Sequence, residues 1–225
     1  MAKLIILEGL DGSGKSTQTD LLFEYLKNNF NQCRKIKLPD YESPSSELVK
    51  MYLNGDFGKD ANSVNAYAAS AFYAVDRYAS FSLDWKNDYN NFDIILADRY
   101  ATSNLIYQMV KLDKSKWDNY ISWCEDFEYV KMGIPKPDLV IFLDMPVEIS
   151  QKLMSERYKG DESKKDVHEN NVKFLNDCRE AALYSAKSQS WSVINCSNNN
   201  EPRSIESIHN DILNAINLSL IHISE

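Results

Sequence analysis

Residues 9–16 read Gly9-Leu10-Asp11-Gly12-Ser13-Gly14-Lys15-Ser16, which fits the pattern G-x-x-x-x-G-K-[ST], and Thr17 follows. The spacing has a chemical reason. Glycines let the backbone curl around an anion so that several N–H groups point inward. A helix that opens at Lys15 and Ser16 adds its positive end. Lys15 then reaches the β- and γ-phosphates of a nucleotide, and the Ser16 hydroxyl is placed to ligate Mg²⁺. The set from Gly9 to Thr17 is therefore expected to bind a nucleotide polyphosphate such as that of ATP.

A second group of chemically capable residues is Asp98-Arg99-Tyr100, directly after the apolar run Asp93 to Ala97. In an open parallel sheet the carboxyl ends of the strands face the ligand crevice. Asp98 there can hold a Mg²⁺-bound water or orient an acceptor. Arg99 can bridge two phosphates that repel each other until a cation lies between them. The plain alternative is a salt bridge at the end of a strand.

These residues need a scaffold, and the chain supplies the pattern of one. Leu4 to Leu7, Asp93 to Asp98 and Asp138 to Asp144 are continuous apolar runs, with Ile36 to Leu38 and Trp191 to Cys196 as shorter strand candidates. Helical periodicity is expected over Ser16–Asn28, Ser63–Trp85, Lys116–Val130, Val147–Met154, Glu169–Lys187 and Ile205–Leu218. Strands that alternate with helices, and are apolar throughout, predict an α/β fold with a parallel sheet covered on both faces. Residues 1–218 are expected to form one domain, with a polar lid over about 155–168 and a frayed tail over 219–225.

Composition narrows the classes. The 225 residues are 44% hydrophobic, enough for one sizeable core. A formal net charge of −8 disfavours a general nucleic-acid or membrane-surface binder, and no run approaches the length of a membrane span. Cys33, Cys124, Cys178 and Cys196 are scattered and read as reduced thiols in a cytoplasmic protein. No NKxD motif for reading guanine is present, which disfavours a GTPase switch, and the size of the chain favours a small kinase over a motor.

Several stretches together resemble thymidylate kinase, from Lys3 to about Leu218: GLDGSGKST at Gly9–Thr17, YAVDR at Tyr73–Arg77, DRYATSNLIYQ at Asp98–Gln108, and PDLVIFLDMPVE at Pro137–Glu148. The resemblance implies a five-stranded parallel sheet wrapped by helices, a lid and a homodimer. It implies Mg²⁺-dependent phosphoryl transfer from ATP to dTMP, giving dTDP and ADP for DNA precursor synthesis. It also implies roles. Asp11 hydrogen-bonds the sugar 3′-hydroxyl, Tyr73 stacks on thymine, Arg77 donates to a thymine carbonyl, and Arg99 grips the acceptor phosphate. Ser103, Tyr107 and Gln108 line the base and sugar pocket. For Tyr73 taken alone, ordinary core packing is the competing reading.

Family members place a catalytic cation either in the phosphate loop or in the lid. Gly12 in the loop points to the lid, with Arg157 first and Lys159, Lys164 and Lys165 after it. The chain departs from the family after the second strand. Many members carry an arginine there for the acceptor phosphate, whereas Leu38-Pro39-Asp40-Tyr41-Glu42-Ser43 has none. Tyr41 offers a hydrogen bond without charge. That absence keeps open a kinase of another deoxynucleoside monophosphate or of a deoxynucleoside. A nucleotide switch without an acceptor would leave Arg77, Arg99 and the lid without a role.

Overall fold

A computed structural model of the chain describes residues 1–157 and 172–221. Five strands form one parallel sheet in the order β2-β3-β1-β4-β5: β1 Lys3–Gly9, β2 Cys33–Lys37, β3 Ile94–Asp98, β4 Leu139–Asp144 and β5 Ser192–Asn195. The continuous apolar runs occupy the three central positions, because helices cover both faces there. Strand alternation divides the core in two. Leu4, Ile6, Ile95, Ala97, Val140 and Phe142 face one cluster. Ile5, Leu7, Ile94, Leu96, Ile141 and Leu143 face the other.

The second face is covered by α1 (Lys15–Asn29), through Leu22 and Leu26, and by α9 (Ile205–Ile221), through Ile208, Ile212 and Ile216. On the first face lie α5 (Ser103–Tyr107), α6 (Trp117–Glu125) and α8 (Val172–Ser188). α2 (Glu47–Leu53) and α3 (Ala66–Ser80) flank the site, α4 (Lys86–Asn91) leads into β3, and α7 (Val147–Arg157) follows β4. A short antiparallel pair, β6 (Ser197–Asn198) and β7 (Glu201–Pro202), precedes α9.

Several boundaries differ from the sequence expectation for physical reasons. The second strand begins at Cys33 and ends at Lys37, earlier than the Ile36–Leu38 run. As an edge strand it is half solvated and polar, so an apolar run does not mark it. The long helix expected over Ser63–Trp85 starts only at Ala66, where the Asn65 side chain caps it by accepting from Ala68 N, and Phe81–Trp85 widens into a π turn. The helix expected over Lys116–Val130 likewise becomes α6 followed by a π turn at Asp126–Lys131. α9 continues past Leu218 to Ile221, into the stretch expected to be tail.

Candidate active site

β1 ends at Gly9, and the chain turns through residues 10–14 into α1, with Ser13 N bonded to Leu10 O. Gly12 (φ +76°) has a second reason to be glycine: a Cβ there would lie 2.7 Å from the carbonyl oxygen of Ser150 on α7. No side chain fits at this position, which excludes a cation from it. Leu10 to Gly12, Gly14 to Thr17, Leu153 and Met154 line a cavity of about 200 Å³. Gly9 and Ser13 pack beneath it, and Ser13 Oγ is buried without a partner among the described residues.

A second cavity, of about 260 Å³, adjoins the first and shares Asp11, Lys15 and Ser16 with it. Its lining includes Lys37, Tyr41, Tyr73, Arg77, Asp98, Arg99, Ser103, Asn104, Tyr107 and Gln108. Every site residue expected from Tyr41 to Gln108 is thus gathered in one hollow at the carboxyl ends of β1, β2 and β3.

Asp98 and Arg99 each make a salt bridge at the end of β3, with partners from the phosphate loop rather than with each other. Asp98 accepts from Lys15 Nζ, and Arg99 Nη2 donates to Asp11 Oδ1 at 2.6 Å. Arg99 Nη1 donates to the Tyr107 hydroxyl at 3.0 Å, and the guanidinium lies 5.1 Å from the centre of the Tyr107 ring. Both acidic groups therefore hold a cation against the phosphate loop. Arg99 also has φ +68°, in the left-handed region that non-glycine residues seldom occupy. Burial and the nearby Arg99 push the Lys15 ammonium below the usual lysine value, while Asp98 acts in the opposite direction.

Beneath Arg99 lies Glu8, fully buried in the last part of β1. It accepts from Tyr100 N, Thr102 Oγ1 and Ser103 Oγ, and so anchors the turn that carries Arg99. Burial raises its carboxyl above the ordinary range, and Arg99 and these hydroxyls offset part of the rise. Ser103 lines the second cavity, yet its hydroxyl is committed to Glu8.

At the far end of the same cavity, Arg77 and Glu128 form a buried ion pair. Arg77 Nε donates to Glu128 Oε2 at 3.1 Å, Nη2 donates to Oε1, and Asn104 Nδ2 adds a bond to Oε1 at 3.1 Å. Nη1 has no hydrogen bond among the described residues. Gln108 is 2% exposed, and its Oε1 has no partner there either. One donor and one acceptor are thus left over where this end of the cavity closes. Tyr73 lines the cavity and packs against Tyr52 of α2, so it is both core and wall. Burial raises its hydroxyl well above the ordinary range. Asp76, fully buried on α3, accepts from Asp40 N and Ser45 Oγ and fixes the loop that bears Tyr41.

The donor set suits a hard cation. The Ser16 hydroxyl stands where the two cavities meet, the Asp98 carboxylate lines the second beside Lys15, and no cluster of three His, Cys, Asp or Glu residues occurs among the described residues. Such sparse oxygen ligation suits Mg²⁺, which retains waters and takes further oxygens from phosphates. Arg157 is the last residue of α7; its side chain, and Lys159, Lys164 and Lys165, lie outside the described residues.

Sequence reasoning missed Glu8, Lys37, Asn104 and Glu128. A charge inside an apolar strand could have flagged Glu8, and a lysine at a strand's carboxyl end could have flagged Lys37. Glu128 comes from a remote segment and has no local signal. Among the described residues no helix is long and apolar enough to cross a membrane.

The comparisons agree with one another. The family model described as thymidylate kinase matches residues 7–212. The thymidylate kinase of Plasmodium falciparum is 30% identical over 217 residues, 95% of this chain and 89% of that one. The thymidylate kinase of Schizosaccharomyces pombe is 28% identical, covering 98% and 94%. The solved structure of thymidylate kinase from Candida albicans superposes with a TM-score of 0.70 at 24% identity, covering 98% of this chain and 93% of that one, a likeness of fold.

Proposed function

The chain belongs to the thymidylate kinase family, and from that premise we infer that it transfers the γ-phosphoryl of ATP to dTMP, giving dTDP and ADP. The observation that carries the reading is the meeting of two cavities at Asp11, Lys15 and Ser16, with Arg99 held beside the junction. One cavity takes the polyphosphate and the other takes the acceptor, so the attacking oxygen and the γ-phosphoryl meet at their junction, as positioning for transfer requires.

In this reading the backbone of Gly9 to Thr17 and the Lys15 ammonium hold the β- and γ-phosphates. Ser16 and Asp98 would hold Mg²⁺, which would neutralise charge on the phosphate oxygens. Arg99 draws the acceptor phosphate toward the junction, and Asp11 orients Arg99 while offering its other oxygen to the sugar 3′-hydroxyl. Tyr73 covers the base, Tyr107 and Ser103 wall the sugar, and Tyr41 closes the phosphate side. Arg77 Nη1 and Gln108 Oε1 present one donor and one acceptor to the base edge. Thymine offers a carbonyl and an N3–H to match. Cytosine offers a bare N3 and would leave Gln108 Oε1 unpaired, which is costly in a buried site. Arg157 is the lid cation of this reading, since the space around Gly12 excludes a second loop cation at that position. The lid over 155–168 belongs to the one kinase domain.

The enzyme is a homodimer in this reading. α3 and the wide turn after it present Val75, Tyr78 and Leu83 to solvent, an apolar surface suited to a second copy. A single-chain mass by sedimentation at micromolar concentration would remove this part of the reading. Four free thiols accord with a cytoplasmic setting.

An acceptor panel is the test. With ATP and Mg²⁺, ADP release should depend on dTMP, with dCMP and thymidine poor acceptors. Turnover of thymidine in preference to dTMP would replace the reading with a nucleoside kinase, and hydrolysis indifferent to every acceptor would replace it with a switch.

A further inference from the structure

The acceptor cavity is lined by the cations Lys15, Lys37, Arg77 and Arg99 and by the carboxylates Asp11 and Asp98. Lys15 is paired with Asp98, Arg99 with Asp11, and Arg77 with Glu128 behind it. Lys37 differs: its ammonium makes no ion pair and no hydrogen bond among the described residues. We propose that Lys37 binds the phosphate monoester of the acceptor, supplying the charge that residues 38–43 lack. The proposal deepens the dTMP kinase reading and rests on it.

Register places this lysine. Lys37 is the last residue of β2 and pairs with Asp98 across the β2–β3 ladder. Paired residues point to the same face of a sheet, as do residues two apart on one strand. Lys35 shows which face this is, because its Nζ reaches Asp20 of α1 at 2.6 Å. Asp98 confirms it by accepting from Lys15 at the start of α1. Lys37 therefore stands on the phosphate-loop side of the cavity, away from the Arg77 end where the base edge would lie. Leu38 N bonds to Asp98 O at 3.1 Å, which keeps the end of β2 beside Arg99.

Charge points the same way. A phosphate monoester carries about −1.5 to −2 at pH 7. Arg99 is already partly neutralised by Asp11 at 2.6 Å. Among the described residues Lys37 is the lining cation whose charge no carboxylate offsets, and an exposed ammonium on a four-carbon stem can follow the phosphate without rearranging the pocket. Its contribution is to acceptor affinity, with Arg99 setting direction through its planar fork.

The test compares wild type, Lys37→Met and Lys37→Arg. Lys37→Met keeps the stem and removes the charge. It should raise the KM for dTMP about tenfold, the effect of one charge-assisted hydrogen bond. The KM for ATP should stay within about twofold. Thymidine, which lacks the phosphate, should bind both proteins with the same Kd by calorimetry, and Lys37→Arg should restore most of the dTMP affinity. An unchanged KM for dTMP overturns the inference. So does an equal loss for thymidine, which would mark a structural role, and so does a rise in the KM for ATP alone. In each of these cases a wild type that phosphorylates dTMP leaves the kinase reading standing. A wild type that does not phosphorylate dTMP brings down both.

Discussion

The two ends of the acceptor cavity are built on opposite electrostatic plans. At one end Arg77 and Glu128 are 3% and 1% exposed, joined through both oxygens of the carboxylate and braced by Asn104. At the other, Arg99 and Asp11 are 17% and 31% exposed, Lys15 leans on Asp98, and Lys37 stands in solvent. The sealed end has its charge settled on folding and presents only hydrogen-bond directions, which is what a neutral base requires. The open end holds cations on carboxylates that can share them, which is what an arriving dianion requires. In the proposed reading a preformed shape reads the base, and exchangeable charge takes the phosphate.

The sharpest break of this comparison is Lys15→Ala. If the open end is where charge moves in the reaction, turnover should fall by about 10³-fold or more, as when a main stabiliser of transition-state charge is lost. Binding of thymidine, read at the sealed end, should barely change. Turnover within tenfold of wild type would mean that the phosphate loop is not the reacting end.

Next in size is the sealed pair. Glu128→Gln leaves Arg77 buried without its countercharge. It should lower unfolding free energy by about 3 kcal/mol and weaken dTMP more than ATP. The double change Arg77→Met with Glu128→Leu separates the two roles. Apolar replacement of a buried pair is often neutral for folding, so urea unfolding should return toward wild type. The acceptor KM should stay high, because the donor to the base is gone. If the double variant regains acceptor affinity as well, the pair is scaffold and the contrast between the two ends dissolves.

The same contrast explains what could be read from the sequence. The open end is built from a contiguous loop and from residues next to apolar strands, so Gly9 to Thr17 and Asp98-Arg99 were visible from local pattern. β1, β3 and β4 were visible because central parallel strands are buried on both faces. The edge strand β2 was misplaced, since half its surface is solvated and Cys-Arg-Lys-Ile-Lys carries no apolar run. Lys37 was missed along with it. The sealed end depends on a pairing between residues 51 positions apart, which no local rule encodes. Arg77 was read as a base donor, and the partner that fixes its direction stayed hidden. Asp11 was expected on the sugar, and its hold on Arg99 was not foreseen, because it needs β1 and β3 to be neighbours.

The smallest effect lies just outside the sealed end, at Lys111. Its Nζ donates to the Tyr52 hydroxyl at 2.8 Å and to Val64 O at 2.9 Å, tying α2 and the approach to α3 to the turn after Gln108. It sits 4.9 Å above the Tyr52 ring. Here a cation is partly buried with no ion-pair partner among the described residues, whereas the unpaired Lys37 at the open end is exposed. Burial lowers its pKa to about 8 from the ordinary 10.5. The folded state therefore binds fewer protons than the unfolded chain between these two values, and stability rises with pH across that window. The contribution is complete above 10.5 and is lost as pH falls through 8. Measured by urea unfolding, the stability of wild type minus that of Lys111→Met should grow by about 1–2 kcal/mol between pH 8 and 10.5. The full linkage value is larger, and water reaching the ammonium reduces it. Subtracting the variant cancels the other groups that titrate there. A flat difference would mean that Lys111 is solvated like any surface lysine. The desolvated shell behind the base would then stop at Arg77 and Glu128.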